Sequence, residues 1–282
     1  MGVLNTTPDS FSDGGQLQSV QQVVDRAASM ISAGADVLDV GGESTRPGGA
    51  PVDEAEERAR GIPAITALRK AFPSAAISVD TYKPGVAQAA IEAGADIIND
   101  VWGGLYGWTS AERCAAAAGI AAGGLGEGAP ASRMAETAAM LGCPVILMHN
   151  RPDRDYGDFL RDVVADLNLS RAVMRRAGVP EHQLWLDPGF GFAKEPRHNL
   201  EVLRNLGRIV GLGLPVLLGT SRKSTIGLVL RAEVGDRLEG TAATVVWGIQ
   251  QGCRMVRVHD VGAMLRFVRM ADAIRAGIDW KP

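Results

Sequence analysis

Short apolar stretches alternate with longer amphipathic or alanine-rich ones along the whole chain, and this rhythm limits the fold to very few choices. The apolar stretches are GVLN (2–5), DVLDV (36–40), AAISVD (75–80), ADIIND (95–100), PVILMH (144–149), LWLDP (184–188), PVLLG (215–219) and RMVRVHD (254–260). Each is short enough for a strand and apolar on both faces. The segments between them carry helical periodicity, and many end in glycine, as a left-handed helix C-cap requires. Strands apolar on both faces and joined through helices predict a parallel sheet covered on both sides. Eight such units within 282 residues predict a (β/α)8 barrel, one domain over residues 1–282. A doubly wound open sheet is the alternative, but no GxGxxG turn follows a strand with a ribose-binding acid at the right offset. The one irregularity is residues 103–133, GGLYGWTSAERCAAAAGIAAGGLGEGAPASR, longer than an ordinary connection after the fourth strand. Its small side chains and Gly-rich ends predict a surface elaboration dispensable for folding.

Polar residues sit where the strands end. Asn5, Asp80, Asn99 and Asp100, His149, Asp187, and Arg257 with His259 lie at or just past the C-terminal ends of six apolar stretches. In a (β/α)8 barrel that end is the mouth where active sites form. Taken alone, Asp187 before Pro188 and Gly189 reads as an Asx cap on its loop. Six strands ending this way read as a pocket. The loops at this mouth are NTTPDSFSDGG (5–15) and GGESTRPGG (41–49), each a lid candidate holding a charged residue among small ones, Asp13 and Arg46. A third, GTSRKSTIG (219–227), places Arg222 and Lys223 at a helix start after the seventh strand, a common phosphate-binding position in this fold. Asp80, Asn99 and Asp187 together suit a ligand with several N–H donors along one edge, such as an aminopyrimidinone ring.

Composition removes other function classes. The formal net charge is −3, which carries no nucleic-acid footprint and no attraction to an anionic membrane, so an anionic ligand must be met by a few local cations. The three cysteines form no CxxC or Cys/His cluster, and the four histidines lack the spacing of a zinc site. No stretch has transmembrane length and no signal peptide is recognisable, so the expected location is the cytoplasm or an organelle stroma.

GVLNTTPDSFSDGG, DVLDVGGESTRPGG, SVDTYKPGVAQAAIEAGADIINDV, PVILMHNR, LDPGFGFAK, GTSRKSTIG and RVHDV closely resemble the dihydropteroate synthase family, in order and over nearly the whole chain. The resemblance implies a (β/α)8 barrel, usually a homodimer. It implies condensation of 6-hydroxymethyl-7,8-dihydropterin diphosphate with p-aminobenzoate, releasing diphosphate, with Mg2+ as cofactor. By motif it implies Asp80, Asn99, Val101, Met148, Asp187 and Lys223 as pterin contacts. Asn5, Arg257 and His259 hold the diphosphate in this reading, with Asn5 also on the metal. Phe11, Thr45, Pro47, Phe192 and Ser224 contact p-aminobenzoate, and Asp13 and Arg46 belong to the lids. Catalysis then rests on Asp80, Asp187, Lys223 and Arg257. The chain departs from the family in three places: it begins at the first strand, residues 103–133 are longer than usual, and MHNR differs at its third residue.

Three rival readings differ in chemistry. A barrel forming a Schiff base through Lys223 would give an adduct trapped by borohydride. A pterin-dependent methyltransferase shares the barrel and the acid–amide pocket but not ESTRPGG and SRKS. A non-catalytic pterin-binding paralogue would have no use for Asn5, Arg257 and His259.

Overall fold

The computed structural model describes residues 1–6, 16–43, 52–126 and 128–281. Its strands are β1 (Gly2–Asn5), β2 (Val37–Gly41), β3 (Ala76–Asp80), β4 (Ile97–Asp100), β5 (Val145–Met148), β6 (Leu184–Asp187), β7 (Leu217–Leu218) and β8 (Met255–Val256), one in each apolar stretch. β1 to β6 pair in sequence order as a parallel sheet, and β7 pairs with β8. Two parallel bridges, Leu186 to Val216 and Gly2 to Val258, join these pieces into a ring of eight. At the β8–β1 seam, Val3 N–H donates to Val258 O at 3.1 Å, and Val258 N–H to Met1 O at 3.0 Å. The expected (β/α)8 barrel is therefore the observed one.

Strand parity sorts the side chains. Met1, Val37, Ala76, Ile97, Ile146, Trp185, Leu217 and Met255 form one cluster, contributed by all eight strands around the barrel axis. Leu38, Ile77, Ile98, Leu147, Leu186 and Leu218, one residue further on, and Leu4, three beyond Met1, belong to the larger cluster between strands and helices. Successive strand residues point to opposite faces. Advancing two residues from the axial set therefore selects Val3, Asp39, Ser78, Asn99, Met148, Asp187, Gly219 and Arg257 as the next axial layer. This layer is polar, and it lies at the C-terminal half of the ring.

The helices are α1 (Gln16–Ser32), α2 (Glu54–Ala71), α3 (Pro84–Glu92), α4 (Ser110–Ala121), α5 (Arg133–Leu141), α6 (Phe159–Ala177), α7 (Pro196–Arg204), α8 (Leu206–Val210), α9 (Ser224–Leu230), α10 (Leu238–Gln250) and α11 (Val261–Ala276). Packing runs from α3 to α5 and from α5 to α6, so α5 is the crossover helix of the fourth unit, while α4 lies on α6 as an addition. Residues 103–133 are not the thin surface elaboration that their composition predicts. Leu105 (1% exposed), Trp108 (4%) and Ala116 (7%) join the main core. Arg113 is also buried, and its guanidinium donates to Asn150 O at 2.5 Å and Leu105 O at 2.9 Å. A capping box between Thr109 and Glu112 starts α4, and Ser132 caps α5 while donating to Gly104 O at 2.7 Å. Composition failed here because a few large side chains carry the packing for many alanines and glycines.

Candidate active site

A cavity of about 350 Å3 opens at the C-terminal end of the ring, lined among others by Asn5, Asp80, Phe192, Lys223, Ser224, Arg257 and His259. Arg257, in the axial layer just past β8, occupies its floor. Its Nε donates to Asp39 Oδ2 at 2.6 Å and its Nη2 to Asp80 Oδ2 at 2.7 Å. Asn99 Nδ2 lies 3.3 Å from Asp39 Oδ2. Asp80, the last residue of β3, keeps Oδ1 buried with no hydrogen-bond partner among the described residues. A buried acceptor of this kind is costly unless a donor arrives. Burial pushes the Asp80 pKa up to about 7, against the pull of Arg257 and with the help of Asp39. Burial works to lower the Arg257 pKa, but Asp39 and Asp80 overcome it, and the guanidinium stays charged.

Asp187 forms the Asx-type cap directly, and its strand parity turns it into the axial layer below the cavity. Oδ1 accepts the Gly189 N–H at 2.7 Å, the Asx-type cap, while Oδ2 lies on the side of Gly219. Burial raises its pKa, opposed chiefly by the charge of Lys223. Gly189 has φ +67°, and a Cβ there would sit 1.9 Å from His149 O, so the turn aiming Asp187 tolerates only glycine. Lys223 donates to Phe190 O and lies 4.6 Å from the Phe192 ring centroid. Burial lowers its pKa to about 8, with Asp187 pulling the other way. Beside these, Val101 and Met148 cluster with Tyr82, Trp102 and Phe192 as an apolar wall. Parallel registration sets Asp80 against Asn99 and Met148 against Asp187.

Asn5 and His259 share the cavity wall with Arg257, and Ser221 Oγ lies 3.0 Å from His259 Nδ1. Arg222, in the left-handed region at φ +58°, turns instead to Asp260, with Nε donating to Oδ2 at 2.8 Å. Lys223 is thus the cation that GTSRKSTIG aims at Asp187. Phe11, Asp13, Thr45, Arg46 and Pro47 lie outside the described residues.

Two strand-end residues do not join the pocket, and parity explains both. Asp100 has the parity of Ile98 and caps its own loop, accepting Trp102 N–H at 2.9 Å and Gly104 N–H at 2.6 Å. His149 has the parity of Leu147 and points outward, its Nε2 3.1 Å from Asp166 Oδ2 on α6. Burial lowers its pKa to about 3, so the ring is neutral and its Nδ1, 2.7 Å from Lys194 Nζ, can accept a hydrogen bond. Lys194 also donates to Gly189 O and Phe192 O, both at 3.1 Å, holding the Phe192 loop from behind. Conversely, Asp39 belongs to the site although it ends no strand. The signal was a lone carboxylate in the middle of DVLDV, two residues beyond the axial Val37.

The chain matches the family described as pterin binding enzyme over residues 1–259. It is 47% identical over 274 residues to dihydropteroate synthase of Bacillus subtilis, spanning 97% of this chain and 87% of that protein. Among solved structures it is similar to dihydropteroate synthase of Clostridium difficile in the presence of pteroic acid. That likeness has a TM-score of 0.86 and 42% identity, over 97% of this chain and 95% of that one. It is also similar to dihydropteroate synthase of Yersinia pestis in complex with a sulfonamide drug. There the TM-score is 0.83 with 36% identity, over 98% and 94% of the two chains.

Proposed function

The chain belongs to the dihydropteroate synthase family, and from that premise we propose how its own residues carry the reaction. It joins 6-hydroxymethyl-7,8-dihydropterin diphosphate to p-aminobenzoate, forming 7,8-dihydropteroate and diphosphate. The observation that carries the assignment is Arg257 paired with Asp80: a cation for the leaving group touches a carboxylate for the ring, so the two ends of the pterin diphosphate meet beside this contact. Asp80 Oδ1, Asp187 and the amide oxygen of Asn99 accept the N–H edge of the pterin. Lys223 adds a donor and a counter-charge to Asp187, while Val101, Met148 and Phe192 flank the ring.

At the other end Arg257, His259 and Asn5 receive the diphosphate. The methylene C–O bond breaks with its electron pair leaving on diphosphate, as Arg257 stabilises the charge gathering there. Positive charge spreads into the electron-rich ring, facing Asp80 and Asp187. The arylamine nitrogen then forms the C–N bond and loses one proton, an SN1-like path with no covalent enzyme intermediate. Phe192 and Ser224 border the p-aminobenzoate end, completed in this reading by Phe11, Thr45 and Pro47, with Asp13 and Arg46 on the lids.

Mg2+ fits this donor set modestly. Among the described residues no group of three or more His, Cys, Asp and Glu side chains could hold a metal, and Asn5 supplies one hard amide oxygen on the cavity wall. That suits an ion held mainly by water and phosphate oxygens. Bound there, it would neutralise charge on the departing diphosphate.

The whole chain acts as one barrel domain in this proposal, located in the cytoplasm; among the described residues no helix is long and apolar enough to cross a membrane. It acts as a homodimer, and an exposed apolar stripe supports that: Phe267, Met270 and Ile274 share one face of α11, with Trp247 exposed on the neighbouring α10. Purified protein supplied with the pterin diphosphate, p-aminobenzoate and Mg2+ should form dihydropteroate, with turnover abolished by Arg257→Ala. Pterin binding without turnover would make it a binding paralogue instead.

A further inference from the structure

Asp39 lies beneath the pocket, 0% exposed, in the middle of β2. A fully buried carboxylate persists only when charge and hydrogen bonds meet it on every side. Here Oδ2 receives Arg257 Nε at 2.6 Å and the Asn99 amide at 3.3 Å, and Oδ1 faces the same amide at 3.4 Å. Asp39 cannot reach a ligand, unlike Asp80, whose Oδ1 has no partner among the described residues. Resting on the functional reading above, we propose that Asp39 is a positioning residue, holding the diphosphate-binding Arg257 and the ring-binding Asn99 in one register.

Its two contacts act differently. Toward Asn99, the negative charge of Asp39 permits only the NH2 edge of the amide to face it, because a flipped amide would set oxygen against carboxylate. The amide oxygen is thereby turned toward the pterin N–H edge. Toward Arg257, Asp39 fixes the guanidinium at Nε while Asp80 holds Nη2. Asp39 also opposes an incoming anion, since it already neutralises part of the cation. Its contribution to the anion is therefore alignment, paid in raw affinity.

The Asp39→Asn variant separates these effects. Calorimetry with 6-hydroxymethylpterin and with inorganic diphosphate should show ring affinity falling about tenfold, the size of one lost hydrogen bond to a charged network. Diphosphate affinity should hold or rise, because one opposing carboxylate is gone. Turnover with the pterin diphosphate should nevertheless fall, since Arg257 is no longer aligned on the leaving group. A residue that merely supports the scaffold would lose both ligands together, and that result, or no change in either, overturns the proposal. Should Asp39→Asn not fold, the Nε–H resonance of Arg257 in the unaltered protein decides. It is expected to exchange slowly and stay protected when both ligands bind; loss of protection on binding overturns the proposal. If the unaltered protein bound neither pterin nor diphosphate, the functional reading itself would fail and take this inference with it.

Discussion

Asp187 gives Oδ1 to its loop and turns Oδ2 toward Gly219 in the axial layer, so its charge and its shape can be separated. Asp187→Asn keeps an acceptor for Gly189 N–H but removes the charge proposed to meet the pterin. Pterin affinity should fall by about 1–3 kcal/mol with diphosphate affinity nearly unchanged. Calorimetry showing equal pterin affinity would reduce Asp187 to a loop cap. The pH dependence follows from Asp80. In the proposed role its ionised form accepts the ring N–H groups, and burial raises its pKa to about 7, so pterin affinity should decline as pH falls through that value. Arg257 lowers that pKa, hence Arg257→Ala should move the acid limb to higher pH. A limb that stayed in place would assign the titration to another group.

At the scale of elements, the connection after β4 is part of the core. Leu105→Ala should cost about 2–5 kcal/mol, the range for a buried leucine, read by urea unfolding. A loss below ~1 kcal/mol would return residues 103–133 to the surface role their composition predicts. The β6–α7 loop is held on two sides, by Lys194 through Gly189 O and Phe192 O and by Lys223 through Phe190 O. It therefore fixes Phe192, the wall proposed for the aniline ring. A sulfonamide carries the same aniline and a similar polar group opposite it, so inhibition should be competitive with p-aminobenzoate. Inhibition that excess p-aminobenzoate failed to relieve would place the drug elsewhere.

For the whole molecule, ring closure depends on few groups, because β7 and β8 have two residues each and the seams are single bridges. The apolar stripe on α11 belongs to this scale too. In the proposed homodimer, Ile274→Asp should shift sedimentation from dimer to monomer while leaving turnover per chain largely intact, since α11 lies outside the axial layer. Unchanged sedimentation would remove α11 from the contact between chains.

Period and polarity are local properties, so the sequence alone determined the eight strands, the parallel barrel and the strand ends that carry Asn5, Asp80, Asn99, Asp187, Arg257 and His259. Its motifs also carried the family and the reaction. What tertiary structure decided was which side of the ring each polar residue faces. His149 and Asp187 end neighbouring strands, yet one faces α6 and the other the pocket. Reading that from sequence needs an absolute parity for each strand, and strands apolar on both faces leave parity unmarked. Asp39 was missed for the same reason: only the ring closing on Arg257, 218 positions away in the chain, shows a mid-strand carboxylate to be part of the site.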